Sequence, residues 1–266
     1  MNAPTLVLLA AGSSDTQVNQ VTHAMRVGLQ QMRPDLDVQA AFLDHCPPTG
    51  PQVVSYLAKS GVKEIAFVPL LLSSPFVTDP RVSELVQRTA ATHPQIRTAV
   101  AGPIGPEAGL LNQVDAQLRL AVRRRGVSEL DGLVLLADGQ PDSRGASLLA
   151  RRARQWGQHH KLPAVPVFTE SGPAAVSEAI ATLREQGRRH IAVGSLSLSS
   201  DQSWLACARQ AQRLGAVAIG RPLGADPAVL DLALARYAVA AMDLIDFGFD
   251  AIDADAESKP SLSVVG

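Results

Sequence analysis

The stretch Leu-Val-Leu-Leu-Ala-Ala-Gly-Ser-Ser-Asp at 6–15 returns as Leu-Val-Leu-Leu-Ala-Asp-Gly-Gln-Pro-Asp at 133–142, with 7 of 10 positions identical. A second pair of segments, 64–74 and 190–200, shares 6 of 11 positions at nearly the same offset. Collinear matches at one spacing are the signature of an internal duplication. The chain is therefore expected to contain two copies of one structural unit.

Within each copy, short apolar runs alternate with longer amphipathic segments, which is the pattern of βαβ units on a parallel sheet. The fold class is thus predicted to be α/β, with two duplicated domains that each hold a four-stranded parallel sheet covered by helices on both faces. The predicted strands lie near 5–11, 37–44, 63–72, 97–101, 132–138, 164–170, 189–198 and 216–220.

The same pattern gives the expected domain boundaries. One half spans 1–122 and the other spans 132–245, joined by a linker at 123–131. The last helix is expected to begin at Pro227 and to end near Ile245. Residues 246–266 have no sustained hydrophobic period and are predicted to form a mobile tail.

Composition excludes several classes of function. The 266 residues carry a formal net charge of -1, without the basic footprint of a nucleic-acid-binding protein. The longest apolar stretch is too short to cross a bilayer, so no membrane association is expected. The two cysteines, Cys46 and Cys207, form no disulfide framework, which favours a cytoplasmic location.

Ligands of open parallel sheets bind at the carboxyl ends of the strands, so the residues there are the candidates for a binding site. The segments after the first and third strands supply the candidate substrate-binding residues Gly12, Ser13, Ser14, Asp15, Ser73, Ser74 and Phe76. At a helix N-terminus, the first of these segments could bind an anion. Because the unit is duplicated, the strand ends of both halves are expected to line one cleft.

Two families share features with these motifs. The start Leu-Ala-Ala-Gly-Ser-Ser resembles that of nucleotidyltransferases, although Asp15-Thr16-Gln17 follows in place of their phosphate-binding Arg. The duplicated combination of a Gly-Ser-x-Asp turn, an Ala-Phe-Leu-Asp second strand and a Val-Pro-Leu-Leu-Leu third strand is more specific. It resembles the sirohydrochlorin cobalto/ferrochelatase family over nearly the whole chain to about residue 245, and most of all its long two-half actinobacterial members.

This resemblance implies a chelatase fold and a tetrapyrrole, sirohydrochlorin or a related ring, as the small-molecule partner. It also implies Fe2+ or Co2+ as the metal substrate, with no organic cofactor. The family's two metal-binding histidines correspond to Ala11 and Val77 here, neither of which can bind a metal. In the duplicate half, Asp138 and Ser203 occupy the same positions.

Substitutes for the missing histidines are expected at the end of the second strand. There, Asp44 and His45 are the candidate catalytic residues, and His45 is the candidate metal ligand. Because the ring implied by the resemblance carries eight carboxylates, cationic partners are expected as well, and Arg221 is preferred over Arg81 and Arg144.

The substituted histidine positions leave a second class of function open. The chain is interpreted either as a chelatase-like enzyme of sirohaem or cobalamin biosynthesis or as a non-catalytic tetrapyrrole carrier or regulatory homologue. A nucleotidyltransferase-like enzyme is the weaker alternative.

Overall fold

The computed structural model describes residues 3–44, 46–72, 80–139 and 143–256. The eight strands are β1 (Thr5–Ala10), β2 (Val38–Phe42), β3 (Glu64–Pro69), β4 (Arg97–Val100), β5 (Gly132–Ala137), β6 (Ala164–Phe168), β7 (Ile191–Leu196) and β8 (Ala218–Ile219). The helices are α1 (Thr16–Met32), α2 (Gly50–Lys59), α3 (Pro80–Thr92), α4 (Leu110–Arg125), α5 (Ser143–His160), α6 (Gly172–Glu185), α7 (Gln202–Arg213) and α8 (Pro227–Ala256).

Both halves build the same parallel sheet. The strand orders are β2-β1-β3-β4 and β6-β5-β7-β8. Every residue of β1 and β5 is buried, because helices cover both faces of each sheet. The eight predicted strands and the predicted α/β duplication are thus confirmed.

The strand order also fixes where a ligand can bind. In the first sheet, β1 and β3 are the two central strands, and the chain continues from β1 to one edge (β2) and from β3 to the opposite edge (β4). In the second sheet, β5 and β7 are arranged in the same way. A crevice opens at the carboxyl ends of such a strand pair. Each half therefore supplies one crevice.

The two sequence halves exchange their last helices. Helix α4, from the first half, packs against β7 and β8, and helix α8, from the second half, packs against β3, β4 and α1. Two glycines allow close approach at these contacts, since a Cβ on Gly28 would lie 2.6 Å from a methyl group of Leu230 and one on Gly220 would lie 3.1 Å from the Leu118 amide. The Tyr237 hydroxyl on α8 donates a 2.7 Å hydrogen bond to the Pro4 carbonyl.

Because of this exchange, each lobe combines the sheet of one half with a helix of the other. A first lobe consists of the sheet β1–β4 with its own first three helices and α8, while the second lobe consists of the sheet β5–β8 with α4 and its other helices. One continuous hydrophobic core cluster contains residues from both lobes, among them Leu8 and Leu135. The predicted halves 1–122 and 132–245 describe the repeat in the sequence, whereas each lobe also contains one helix of the other half.

Two element ends also differ from the predicted ones. Helix α4 continues through the basic run to Arg125 and is closed by Gly126 in the left-handed conformation, so the connection begins later than 123. Helix α8 continues past Ile245 to Ala256, through part of the predicted tail. Alanines are frequent at its end, and alanine has the highest helix propensity.

The predicted start of α8 at Pro227 is confirmed. Pro173 lies in the first turn of α6, and the Asp226 carboxylate caps α8 by accepting a 2.9 Å hydrogen bond from the Ala228 amide. Among the described residues, no helix combines the length and apolar character needed to cross a bilayer.

Candidate functional site

A cleft of about 650 Å3 lies between the two lobes, a volume within the range of small-molecule pockets. Its lining comes from the carboxyl ends of β1 and β3 in one half and of β5, β6 and β7 in the other. The prediction that the strand ends of both halves line one cleft is confirmed.

The first wall is the loop between β1 and α1. Gly12 has a φ of +83°, and a Cβ there would lie 1.9 Å from the carbonyl oxygen of Asp44, so this position requires glycine. The Asp15 carboxylate accepts a 2.9 Å hydrogen bond from the Gln17 amide and caps α1. Ser13 Oγ accepts a 3.0 Å hydrogen bond from the Asp15 amide. Two of the predicted binding residues thus hold the loop, while the whole segment from Ala11 to Thr16 lines the cleft.

The second wall is acidic. Asp138 follows β5, and its Oδ2 accepts a 2.7 Å hydrogen bond from the Leu198 amide. Glu170 follows β6 and accepts a 3.2 Å hydrogen bond from Ser203 Oγ. Asp201 caps α7 by accepting a 2.9 Å hydrogen bond from the Trp204 amide. Asp138, Glu170, Asp201 and Ser203 all line the cleft.

Burial controls the protonation of this wall. The pKa of Asp138 is raised to about 7, chiefly because its carboxyl is shielded from water, and the negative charges of Asp201 and Glu170 raise it further. Hydrogen bonds from Ser197 and Leu198 act in the opposite direction. Burial also raises the pKa of Asp201, to which Asp15 on the opposite wall contributes. At neutral pH, Asp138 can therefore both accept and release a proton.

The structure places the Asp44 carboxylate outside the described lining of this cleft. The Asp44 side chain is 54% exposed and lies 3.8 Å from Arg81 Nη1. Both residues line another depression, between α2 and α3. The catalytic role predicted for Asp44 stays a prediction, and the structure places its carboxylate in this second depression.

Arg221 is exposed beyond the end of β8 and does not belong to the described lining of the cleft. Its contact with the ligand's carboxylates stays a prediction. The predicted site residues His45, Ser73, Ser74 and Phe76, and the family position Val77, lie outside the described residues.

Sequence reasoning undervalued the second half. Asp138, Glu170 and Ser203 lie where the duplication aligns them with Ala11, Asp44 and Val77, and that alignment was the signal that could have identified them. Within the described part of the chain, no three His, Cys, Asp or Glu side chains come close enough to bind one metal ion. Carboxylates remain the cleft's available groups for a proton or for part of a metal's coordination shell.

The comparisons with known proteins agree with this architecture. Residues 5–121 match the CbiX family model. No curated protein sequence matches the chain significantly.

Among solved structures, the sirohydrochlorin chelatase SirB from Bacillus subtilis subspecies spizizenii, in complex with cobalt, superposes with a TM-score of 0.73 at 19% identity, covering 91% of this chain and 96% of that chain. SirB from Bacillus subtilis with Fe3+ gives 0.73 at 20% identity, covering 90% and 96%.

DR2241 from Deinococcus radiodurans, a multi-domain protein with structural similarity to chelatases, gives 0.58 at 19% identity, covering 90% of this chain and 55% of that one. Identities this low establish a shared fold. The chain thus has the two-lobed fold of these chelatases, and its residues 5–121 match the CbiX family model.

Proposed function

We propose that this protein binds a tetrapyrrole in the cleft between its lobes and acts as a sirohydrochlorin-chelatase-like protein of tetrapyrrole biosynthesis. One observation carries the proposal: a chain whose residues 5–121 match the CbiX family model places a buried carboxyl group with a pKa of about 7, Asp138, in a cleft built from the strand ends of both halves.

Metal insertion exchanges protons for a cation. Two pyrrole N–H protons leave the ring as a divalent ion, Fe2+ or Co2+, enters it as the second substrate. An acceptor with a pKa near the working pH is the most effective one. Asp138 meets this requirement, because it can take a proton from the ring at neutral pH and pass it to water in the open cleft.

The first wall is proposed to bind the edge of the ring. Residues Gly12 to Asp15 line the cleft at the N-terminus of α1, where backbone amides and the Ser14 hydroxyl can donate hydrogen bonds. Ser73, Ser74 and Phe76 follow β3 in the sequence and are proposed to extend this surface.

His45 remains the proposed metal-facing residue of the first half. Its imidazole is a good ligand for Fe2+ and Co2+. The neighbouring Asp44 lies beside Arg81, in a depression apart from the cleft, so its contribution would be to hold the loop that carries His45. Asp138 and His45 are therefore alternative candidates for the residue on which metal insertion depends. Substituting each residue separately distinguishes the two.

A tetrapyrrole carrier is the second candidate function. The observation in its favour is that Ala11, at a position where the family resemblance implies a metal-binding histidine, lines the cleft with a methyl group. A carrier needs the cleft and its shape but no group that accepts pyrrole protons.

Both candidates are tested by titrating the protein anaerobically with sirohydrochlorin at high ionic strength, followed by addition of Co2+ or Fe2+. A chelatase shifts the ring's absorption spectrum on binding and then inserts the metal faster than the solution reaction. A carrier binds the ring without accelerating insertion. Failure to bind the ring at micromolar concentration contradicts both.

We also propose that the protein works in the cytoplasm. Cys46 and Cys207 are both free thiols, and Cys207 is buried, which suits a reducing compartment.

A further inference from the structure

Ser197 is buried beside the Asp138 carboxyl group. The backbone amide of Asp138 donates a 3.2 Å hydrogen bond to the Leu196 carbonyl, and Oδ2 of Asp138 accepts one of 2.7 Å from the Leu198 amide. These two contacts bracket Ser197, which is fully buried and whose hydroxyl donates a hydrogen bond to the Asp138 carboxyl group. Ser197 does not belong to the described lining of the cleft, whereas Asp138 does. The hydroxyl can therefore act on the cleft through Asp138.

The backbone around Ser197 is also held from its other side. The Leu223 amide donates a 2.7 Å hydrogen bond to the Ser197 carbonyl, and the Gly224 amide donates one of 3.1 Å to the Leu198 carbonyl. Both donors lie in the segment between β8 and α8. Ser197 is thus fixed between two neighbouring segments of the second lobe, which keeps its hydroxyl beside Asp138.

The duplication indicates that Ser197 and Asp138 form one unit. Asp138 aligns with Ala11, and Ser197 aligns with Leu71. Ala11 and Leu71 both line the cleft, so the first half carries two apolar side chains where the second carries a hydrogen-bonded pair. Either polar residue beside an apolar partner would bury an unpaired group, which is costly. Both members of the pair accordingly differ together between the two halves.

The charges around this pair all oppose ionisation of the carboxyl group. Burial raises the pKa of Asp138, and the negative charges of Asp201 and Glu170 raise it further. Asp15, from the first lobe, acts in the same direction on Asp201. The described lining of the cleft contains no Lys, Arg or His that would counter these charges. Ser197 is the side chain that lowers the pKa of Asp138.

We propose that Ser197 is a positioning residue whose hydroxyl keeps the Asp138 carboxylate available as a proton acceptor. The inference rests on the proposed metal insertion and deepens it. The proton moves from a pyrrole nitrogen to a carboxylate oxygen of Asp138 and from there to water, while Ser197 keeps its own proton throughout. Ser197 acts by stabilising the ionised form of its neighbour before the transfer.

Ser197→Ala tests the proposal, because it removes the hydroxyl without adding bulk. The pKa of Asp138 should then rise, and the pH profile of Co2+ insertion into sirohydrochlorin should move upward by about one pH unit. Below pH 7 the variant should be about tenfold slower than the unmodified protein, and at high pH it should recover most of the rate. A merely structural loss would instead lower the rate at every pH without moving the profile, and that result would overturn the proposal.

Two further variants make the comparison specific. Ser195 is equally buried, but its hydroxyl donates a 2.6 Å hydrogen bond to the Gly220 carbonyl and accepts one of 3.0 Å from Trp204 Nε1. Ser195→Ala is therefore the matched control, which should reduce stability and leave the midpoint of the profile unchanged. Ser197→Cys keeps a weak donor of similar size and should give a midpoint between those of Ser197→Ala and the unmodified protein. It carries the same comparison if Ser197→Ala does not fold.

Urea unfolding across a series of pH values follows Asp138 without any substrate. Stability falls with pH as long as the folded state holds a proton that the unfolded chain has released. In Ser197→Ala this fall should continue about one pH unit higher than in the unmodified protein. An unchanged pH range would overturn the inference even if the protein inserts metal. If the range shifts and the protein inserts no metal, the control of Asp138 by Ser197 is supported and the proposed function alone falls.

Discussion

Oδ2 of Asp138 accepts a 2.7 Å hydrogen bond from the backbone amide of Leu198, which ties the end of β5 to the loop that follows β7. The contact fixes the carboxyl group beside the cleft, where its other oxygen is shielded from solvent. Asp138 is therefore held in a position where its protonation state affects both the stability of the fold and the chemistry of the cleft.

Asp138 makes stability depend on pH. Its pKa is raised from 3.8 to about 7 in the folded protein, so the folded state retains a proton that the unfolded chain releases. This effect lowers the free energy of unfolding as pH rises from about 4 to about 7, by about 1.4 kcal/mol for each unit of pKa shift. Asp138→Asn should remove the dependence and stabilise the protein above pH 7 by up to a few kcal/mol. Urea unfolding of both proteins at about pH 5 and about pH 8 measures it, and equal pH dependence in both would contradict the buried carboxyl group.

The same carboxyl group gives the rate of metal insertion a pH profile, if the protein is a chelatase. The rate should rise as Asp138 ionises around pH 7 and then level off, because only the carboxylate accepts a pyrrole proton. Asp138→Asn should lower the rate at least about tenfold and flatten the profile while leaving ring binding nearly unchanged.

His45→Ala provides the contrasting measurement. A loss of about tenfold or more in this variant, with ring binding little changed, would place the central chemistry at His45 in the first half. If His45→Ala lowers the rate and Asp138→Asn does not, the second wall has no role in proton transfer.

The exchange of α4 and α8 predicts that neither sequence half folds alone. A fragment that ends in the connection after Arg125 lacks α8 and leaves the first sheet's buried face, which includes Leu6 and Val68, exposed to water. Burial of one such side chain contributes about 1.5–3 kcal/mol, so its loss over a whole face exceeds the stability of a domain. Circular dichroism should show that each fragment is unfolded.

Mixing the two fragments should restore the far-ultraviolet spectrum and cooperative unfolding, because each supplies the helix that the other lacks. A first-half fragment that melts cooperatively without its partner would show that α8 is dispensable. Tyr237→Phe gives a milder test in the full chain: loss of the hydroxyl that bonds to the Pro4 carbonyl should cost about 1 kcal/mol.

The exchange also shows where sequence reasoning stops. Buried parallel strands are apolar runs, so β1 and its copy β5 could be located, and the duplication identified the repeated sheet. Helices α4 and α8 carry apolar faces that suit either of two similar sheets. Their hydrophobic period therefore predicts helices without saying which sheet each one covers.

The candidate site, too, could be predicted only in part from the sequence. The loop from Gly12 to Asp15 could be placed at the cleft, because a turn rich in small and polar residues follows a buried strand at the carboxyl edge of the sheet. Asp138 in the other copy could equally be a turn residue. Its role depends on how far the folded protein shields it from water, which its place in the sequence does not determine.

Histidines placed at the two family positions, Ala11 and Val77, should give the protein affinity for a metal ion. Ala11 lines the cleft, and the sequence places Val77 at the second histidine position of the resemblance. Ala11→His with Val77→His should create a Co2+ site detectable by calorimetry, because two imidazoles supply good borderline ligands. Ala11→His alone is the control and should bind far more weakly. Tight stoichiometric Co2+ binding in the unmodified protein, unaffected by His45→Ala, would reveal a site other than those proposed.

Gly12 offers a test of the loop geometry that does not depend on function. Its φ of +83° disfavours any side chain, and a Cβ would come within 1.9 Å of the Asp44 carbonyl oxygen, a backbone atom that cannot rotate away. Gly61 is a matched control, because its φ of +79° is similar but a Cβ there meets nothing within 4 Å. Gly61→Ala should cost about 1 kcal/mol from backbone strain alone. Gly12→Ala should cost at least about 2 kcal/mol more, since β2 and the loop must move apart. Thermal and urea unfolding of the two variants give the comparison, and equal losses would show that the end of β2 does not constrain the loop.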